Sequence, residues 1–447
     1  MHYTAPTISK LAHTRRITTT LNHIVSPSQH TIMSSTLHTN GTSNGKSSDA
    51  DRPILMIPGP TEYHPDVLHK LSEPSLSHTS PAFINEFSEL IRGIRTVFSA
   101  GSNVQPFILS GSGTIGWDIT AANVCEPGDN ALILNTGYFS DSYAVCCETY
   151  QINIDQIKAK SIGDTITVEQ IQQHFRDNPN KRYKLICITH VDTSTAVLNN
   201  VQQLISTVRK YQPDAYYSVD GVCSFGGERL LFDEWNVDIT IGCSQKALGA
   251  PPGLSILLVS ARAIQSIQSR QTNVLNYFGN LKNWLPIMSA YENHSPAYFA
   301  TPNVNLIRAQ NHAIKLLNQL DIHNVYNIHE QTAKRFRAAM RSMNLKFVPT
   351  NDSYTANTLL AIYYPTNTTF RSTEFLAAVS KCNVILAGGL HKDIKTKYFR
   401  VGTMGYSVWG NTNHIERTIT AIESALIQCG AEGIEPGKAL AVFQSTQ

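Results

Sequence analysis

Short, unbroken apolar runs alternate with amphipathic stretches between residues 105 and 260, and this rhythm leaves few folds open. The runs at 106–109, 131–134, around 152–154, 185–190, 215–219 and 239–242 are continuous in polarity, which marks strands covered on both faces. Between them, 117–124, the stretch through Tyr143 and Cys147, 167–175 and 201–211 repeat apolar residues at helical spacing. Strand and helix in alternation predict an α/β fold with a mostly parallel sheet. Ligands of such sheets sit beyond the carboxyl ends of the strands. The polar groups after the runs are therefore the candidates: Ser112 to Thr114, Phe139, residues 192–195, Asp220 and residues 244–246. A further run at 254–259 follows closely on Lys246 and reads as an antiparallel neighbour.

The chain is long enough, at 447 residues and 42% hydrophobic, for more than one domain. Long helical patterns at 304–320 and 330–343 follow the sheet region. Strands at 359–363, 384–386 and 398–401 and helices at 373–379 and 414–427 then suggest a smaller α+β domain. We divide the chain into an N-terminal extension at 1–51, a large domain with an N-terminal arm at 52–310, and a small C-terminal domain at 311–447. The extension is rich in Ser, Thr, His and Asn, carries Lys10, Arg15, Arg16 and Lys46, and has no acidic residue before Asp49. That fits a mitochondrial presequence or a disordered tail, and Met33 offers a second start. The expected location is mitochondrial if the segment is a presequence, otherwise cytoplasmic or peroxisomal.

A net charge of +3 gives no nucleic-acid surface, and no apolar run reaches the roughly 18 to 20 residues that span a bilayer. The eight cysteines form no C-x-x-C pair, and the sixteen histidines lack the spacing of a metal site. We expect no metal, no membrane insertion and a reducing compartment.

Lys246 lies in Ser244-Gln245-Lys246-Ala247-Leu248-Gly249-Ala250-Pro251-Pro252-Gly253, with no other charged residue between Asp238 and Arg262. An amine in apolar surroundings is a nucleophile suited to a Schiff base, although most lysines only lay their stems along apolar surface. Asp220 ends the run before it. Residues 110–116, Ser-Gly-Ser-Gly-Thr-Ile-Gly, join a strand to a helix and offer backbone N–H groups and a helix N-terminus to an anion. Their spacing also fits a dinucleotide site, but the next strand ends in Asn135-Thr136-Gly137, without the carboxylate that holds a ribose. Arg400, between Phe399 and Val401, needs an anion: a structural carboxylate, the commoner case, or that of a substrate. Pyridoxal phosphate needs a lysine, a carboxylate for its ring nitrogen, an aromatic face and a helix N-terminus. All are available here.

The 244–253 segment, Val219-Asp220-Gly221-Val222-Cys223-Ser224, residues 110–114, Thr189-His190-Val191-Asp192-Thr193-Ser194-Thr195 and Gly388-Gly389-Leu390-His391-Lys392-Asp393 together resemble class V aminotransferases, in particular the fungal alanine–glyoxylate type. The resemblance covers about residues 53–427. It implies a fold type I transferase, pyridoxal 5'-phosphate, a homodimer with a shared active site, and ping-pong transfer between small amino and keto acids. It implies Lys246 as the Schiff-base lysine and Asp220 as partner of the ring nitrogen. Phe139 becomes the stacking face, where animal members carry tryptophan. Ser112, Gly113, Thr114 and Gln245 become phosphate ligands, with histidine in animal members where Thr114 stands. Thr193 would bond the ring oxygen, Tyr298 and Thr301 would reach the phosphate of the neighbouring subunit, and Arg400 would grip the substrate carboxylate. The expected reaction is alanine with glyoxylate. Serine–pyruvate or serine–glyoxylate exchange is the alternative. A cysteine desulfurase ranks low because Gln245, not histidine, precedes the lysine, and a nicotinamide oxidoreductase ranks low because it leaves Lys246 and Asp220 unused.

Overall fold

The computed structural model describes residues 52–446, so the readings made for 1–51 lie outside the described residues. The continuous runs form one seven-stranded sheet. Its order is Gln105–Gly111, Gly253–Val259, Ile239–Cys243, Tyr216–Asp220, Leu185–Thr189, Asn130–Asn135, Asn153–Lys158. Gly253–Val259 runs antiparallel to both of its neighbours, and the remaining pairs are parallel. Every residue of Leu185–Thr189 and Ile239–Cys243 is buried. Burial on both faces is why these strands read as unbroken apolar runs. The edge strand Asn153–Lys158 keeps most of its residues half-exposed or exposed, and its sequence is correspondingly polar.

Helix Gly113–Val124 packs on the sheet through Gly116, where an added Cβ would lie 2.3 Å from Ile241 Cγ2. Helices Pro81–Val97, Leu281–Glu292 and Val304–Gln319 complete the same core. Residue 310, the expected boundary between large and small domains, falls inside the last of these, where buried Gln310 donates to the Leu248 carbonyl at 3.2 Å.

A second, antiparallel sheet places Tyr398–Gly402 between Leu359–Tyr363 and Ala387–Gly388. It has its own apolar core, which includes Phe336, Leu360, Phe375, Phe399 and Ile422. The arm joins this core first: Ile54–Leu55 pairs in parallel with Val384–Ile385, and Ile54 and Met56 are buried there. One expected helix is corrected. The stretch read as 330–343 is helical over Ile322–Ser342, beginning at Asp321, whose side chain accepts the His323 N–H at 3.1 Å. Its extra turns continue the buried face with Val325, Tyr326 and His329, and a histidine at a core position broke the apolar pattern. Helices Pro65–Ser72, Ala261–Ser269, Leu281–Glu292 and Lys438–Ser445 had no counterpart in the reading of the sequence.

Among the described residues no helix is long and apolar enough to cross a membrane, and no cluster of His, Cys, Asp or Glu is placed to hold a metal. All eight cysteines are free, and Cys382 alone is exposed.

Candidate active site

Lys246 follows the strand Ile239–Cys243 and is half-buried. The segment Pro58-Gly59-Pro60-Thr61 folds over it. Lys246 Nζ donates to the Pro58 carbonyl, Thr61 N–H donates to the Gln245 carbonyl at 3.2 Å, and the Thr61 hydroxyl donates to the Lys246 carbonyl at 3.3 Å. Gly59 has φ +89°, and a Cβ there would lie 2.7 Å from Lys246 Nζ and 2.5 Å from its Cδ. Only glycine leaves room for the lysine stem. Its Pro-Gly-Pro sequence signals a turn that stops an extended run, and nothing in it signals the contact with Lys246.

Asp220 closes the strand Tyr216–Asp220, buried to 3% exposure. Its Oδ2 accepts from Trp117 Nε1–H at 3.0 Å and its Oδ1 from the Val222 N–H at 3.0 Å. Burial pushes its pKa up to about 6 although those two donors and Lys246 pull it down, and Asp192 adds to the rise. Among the described residues no lysine or arginine forms an ion pair with it. A buried carboxylate in this state favours a cation brought to it. Trp117, the residue that aims it, was read only as part of a helical pattern. Its place just inside a helix that opens with glycines and small residues was the available signal.

Helix Gly113–Val124 begins beside Asp220. Ser112 is its N-cap and makes no side-chain capping bond, and Ser112 and Thr114 are exposed. An added Cβ at Gly113 would lie 2.3 Å from Val222 Cγ2, so this helix start and the residues after Asp220 are in direct contact. Gln245 brings an amide whose Oε1 is buried and unpartnered among the described residues.

Arg400 projects from the central strand of the small sheet. Its Nε donates to the Gly388 carbonyl at 2.8 Å and its Nη1 to the Thr193 carbonyl at 3.2 Å. No carboxylate pairs with it among the described residues, and burial lowers its pKa. The structural carboxylate expected as the commoner partner is absent there. The neighbouring Tyr398 hydroxyl donates to the Ser194 carbonyl and accepts the N–H groups of Leu390 (2.8 Å) and His391 (2.9 Å). Tyr398 thus ties the 388–393 loop to residues 192–195, a role the sequence did not signal.

Asp192 is fully buried, accepting the Ser194 N–H at 2.8 Å and its hydroxyl at 2.5 Å. Gly137 packs so closely that a Cβ would come within 2.7 Å of Asp192 Cγ. This contact sets the start of helix Tyr138–Thr149, which carries half-buried Phe139 with its ring centroid 6.3 Å from that of Trp117. Thr193 is buried beneath Arg400. Contacts therefore join Lys246 and Gln245 to the arm, Asp220 and Phe139 to Trp117, Gly113 to Val222 two residues after Asp220, and Thr193 to Arg400. Tyr298 and Thr301 stand apart on an exposed loop, with their hydroxyls 3.4 Å from each other.

Among the described residues the geometry offers an amine, a buried carboxylate without a cation, an open helix N-terminus, a buried unpartnered amide, and a guanidinium without a carboxylate. That donor set fits pyridoxal phosphate and a carboxylate substrate. Comparisons with known proteins agree. The family description "Aminotransferase class-V" matches residues 59–394. The chain is 38% identical to the alanine–glyoxylate aminotransferase 1 of Saccharomyces cerevisiae over 384 residues, 83% of this chain and 97% of the relative. It is 26% identical to the serine–glyoxylate aminotransferase of Arabidopsis thaliana, covering 78% of this chain and 85% of that one. The crystal structure of an alanine–glyoxylate aminotransferase from Nostoc sp. superposes with a TM-score of 0.76 at 26% identity, covering 85% and 97% of the two chains. The chain belongs to the class V aminotransferases, pyridoxal-phosphate enzymes of fold type I.

Proposed function

We propose that this aminotransferase moves the amino group of L-alanine to glyoxylate, giving pyruvate and glycine, by ping-pong exchange. The observation that carries the substrate class is Arg400, a half-buried guanidinium whose fork bonds only backbone carbonyls among the described residues. The choice of alanine and glyoxylate rests on the similarity to the yeast enzyme of that name. Serine is the competing donor, supported by the more distant plant relative.

Bound pyridoxal phosphate supplies an aldehyde for Lys246 and an electron sink for the pair left when the substrate Cα–H bond breaks. Lys246 anchors the cofactor and, once the amino donor has displaced it, its free amine takes the proton from the donor's Cα and, in the reverse half-reaction, delivers a proton to the Cα of the acceptor. Pro58, Gly59 and Thr61 hold that amine's stem in place. Asp220, aimed by Trp117, pairs with the protonated ring nitrogen, and Phe139 flanks the ring. Ser112, Gly113, Thr114 and Gln245 bind the phosphate, with Thr193 bonding the ring oxygen. Arg400 takes the carboxylate of either substrate as a bidentate fork. Tyr298 and Thr301, exposed in one copy, serve the phosphate of a second copy, so the working unit is a homodimer. Residues 1–51 act as an organelle presequence in this reading, and a mature protein that begins at or before Met33 would count against it.

Lys246→Ala should lower turnover by about 10³-fold or more, the scale of a lost acid–base group that is also the covalent anchor. Wild-type rates in that variant would end this reading. Arg400→Ala should raise KM for alanine and glyoxylate by roughly 10²-fold while the cofactor stays bound, as expected for losing two hydrogen bonds to a charge. Loss of the cofactor instead would mean that Arg400 is misassigned.

A further inference from the structure

Glu228 stands at the far end of the segment that begins just after Asp220, and only 4% of it is exposed. Its Oε1 accepts the backbone N–H groups of Asn357 and of Thr358 (3.2 Å), and its Oε2 accepts Asn357 Nδ2–H at 2.9 Å. The next links lead to Arg400. The Thr403 hydroxyl donates to the Asn357 carbonyl at 2.8 Å, and the Thr403 N–H to the Thr358 carbonyl at 2.9 Å. Thr358 leads into Leu359–Tyr363 and Thr403 follows Tyr398–Gly402, the two strands that pair Ala361 with Arg400.

We propose that Glu228 is a positioning residue that locks the carboxylate-binding Arg400 in register with the Asp220 segment. The inference rests on the reading of Arg400 given above. Three N–H donors converge on this side chain, so the carboxylate satisfies all of them. A neutral acid or an amide turns one hydrogen toward a donor and loosens the clamp.

Burial pushes Glu228 up to about 7, against the pull of the Asn357 and Thr358 donors and of Arg337. It is in reach of water, because it lines a cavity of about 480 Å³ with His190, Arg229, Tyr326, Glu330, Tyr354 and Asn357. The ionisable groups around it come from every packed element. On helix Ile322–Ser342, Arg337 donates to the Ala356 carbonyl at 3.1 Å, the Tyr326 hydroxyl donates to the Val97 carbonyl at 3.0 Å, and His329 accepts the Gly405 N–H at 3.1 Å. Glu330 of that helix and Arg229 of Glu228's own segment also line the cavity, and the Tyr354 hydroxyl bonds Thr350 at 2.6 Å. His190 lies across the cavity, its Nδ1 2.9 Å from the Ser224 hydroxyl. Burial lowers His190 to about 3 and His329 to about 4, so both are neutral between pH 6 and 8. Glu228, raised to about 7, changes charge in that interval. The clamp tightens as pH rises through 7.

The test is KM for glyoxylate, which has no titrating group of its own in this range, measured on the holoenzyme from pH 6 to 8. Cofactor absorbance and thermal unfolding monitor integrity. In the wild type KM should fall with rising pH. Glu228→Gln should raise KM at pH 8 about tenfold, the loss expected for weakened bonds to a charged group. Its kcat should stay within about threefold of wild type, and the Glu228-dependent part of the pH slope should vanish. Thr403→Val, which removes the hydroxyl link to Asn357 and keeps Glu228, should raise KM and reduce the Glu228-dependent part of the slope. This variant carries the test if Glu228→Gln does not fold. A Glu228→Gln enzyme with wild-type KM, or with the wild-type slope, overturns the proposal, as does a Thr403→Val enzyme with wild-type KM. Arg400→Lys, run in parallel, should raise KM. If it does not, the reading of Arg400 fails, and that outcome is distinct from a failure confined to Glu228.

Discussion

Asp220 is held at an energetic disadvantage until a cation arrives. A carboxyl whose folded pKa is raised to about 6 keeps its proton where the unfolded chain has lost it, so the apoprotein loses stability as pH climbs from about 4 to 6. Asp220→Asn removes the charge but turns its amide NH2 toward one of the two N–H donors, so the apoprotein should lose the Asp220 part of the stability decline between about pH 4 and 6, and transamination should be nearly abolished. Urea unfolding of the two apoproteins across that pH range measures the first effect, and an unchanged decline in the variant would contradict it. Trp117→Phe removes one of the two hydrogen bonds to Asp220 but leaves a ring to face Tyr143, with which Trp117 stacks at 5.4 Å. Cofactor affinity should drop about tenfold, as for one bond to a charged group, which equilibrium titration with pyridoxal phosphate would read. Asp220 and Lys246 were legible in the sequence because a lone charge in a long apolar stretch is unusual. Trp117 and Tyr398 were not, because an aromatic in a helix or strand looks like core until its polar atom has a partner.

The helix Gly113–Val124 is useful because nothing bulky stands between its first turn and the strand ends. Gly113→Ala would drive a methyl into Val222, displacing the turn at 110–116 from the Asp220 segment. We expect it to cost about 1–3 kcal/mol of stability and to weaken cofactor binding. Val222→Ala in the same chain should recover most of both, and failure of that rescue would show that the contact is not the cause. The strands of the large sheet could be read from sequence because both faces are buried. Asn153–Lys158 was faint because an edge strand keeps polar residues. The start of Ile322–Ser342 was misplaced because Tyr326 and His329 continue its buried face. The arm's pairing with Val384–Ile385 joins segments more than three hundred residues apart, and no local pattern carries such a contact.

Across the molecule, the site draws on separated parts of the chain: the arm at 58–61, the turn at 110–116, the segments at 192–195 and 220–228, Lys246, and Arg400 on the second sheet. The turn at 110–116, residues 192–195 and 219–224, Lys246 and Arg400 were visible in the sequence, and the order of the motifs resembled a family, whereas the arm at 58–61 and Glu228 were not. What the sequence could not supply was the coupling between them, made by the Glu228, Tyr398 and Thr61 side chains, whose partners lie far off in the chain. The exposed Tyr298 and Thr301 lead to an assembly test. Lys246→Ala chains mixed with Tyr298→Ala/Thr301→Ala chains, then dissociated and reassembled, should regain activity that neither parent shows. No recovery would place those two residues outside a shared site. The central claim is tested most directly by initial rates of the wild-type holoenzyme over a grid of alanine and glyoxylate concentrations. The account predicts parallel double-reciprocal lines, equal yields of pyruvate and glycine, and a higher kcat/KM for alanine than for serine. Intersecting lines, or serine preferred over alanine, would contradict it.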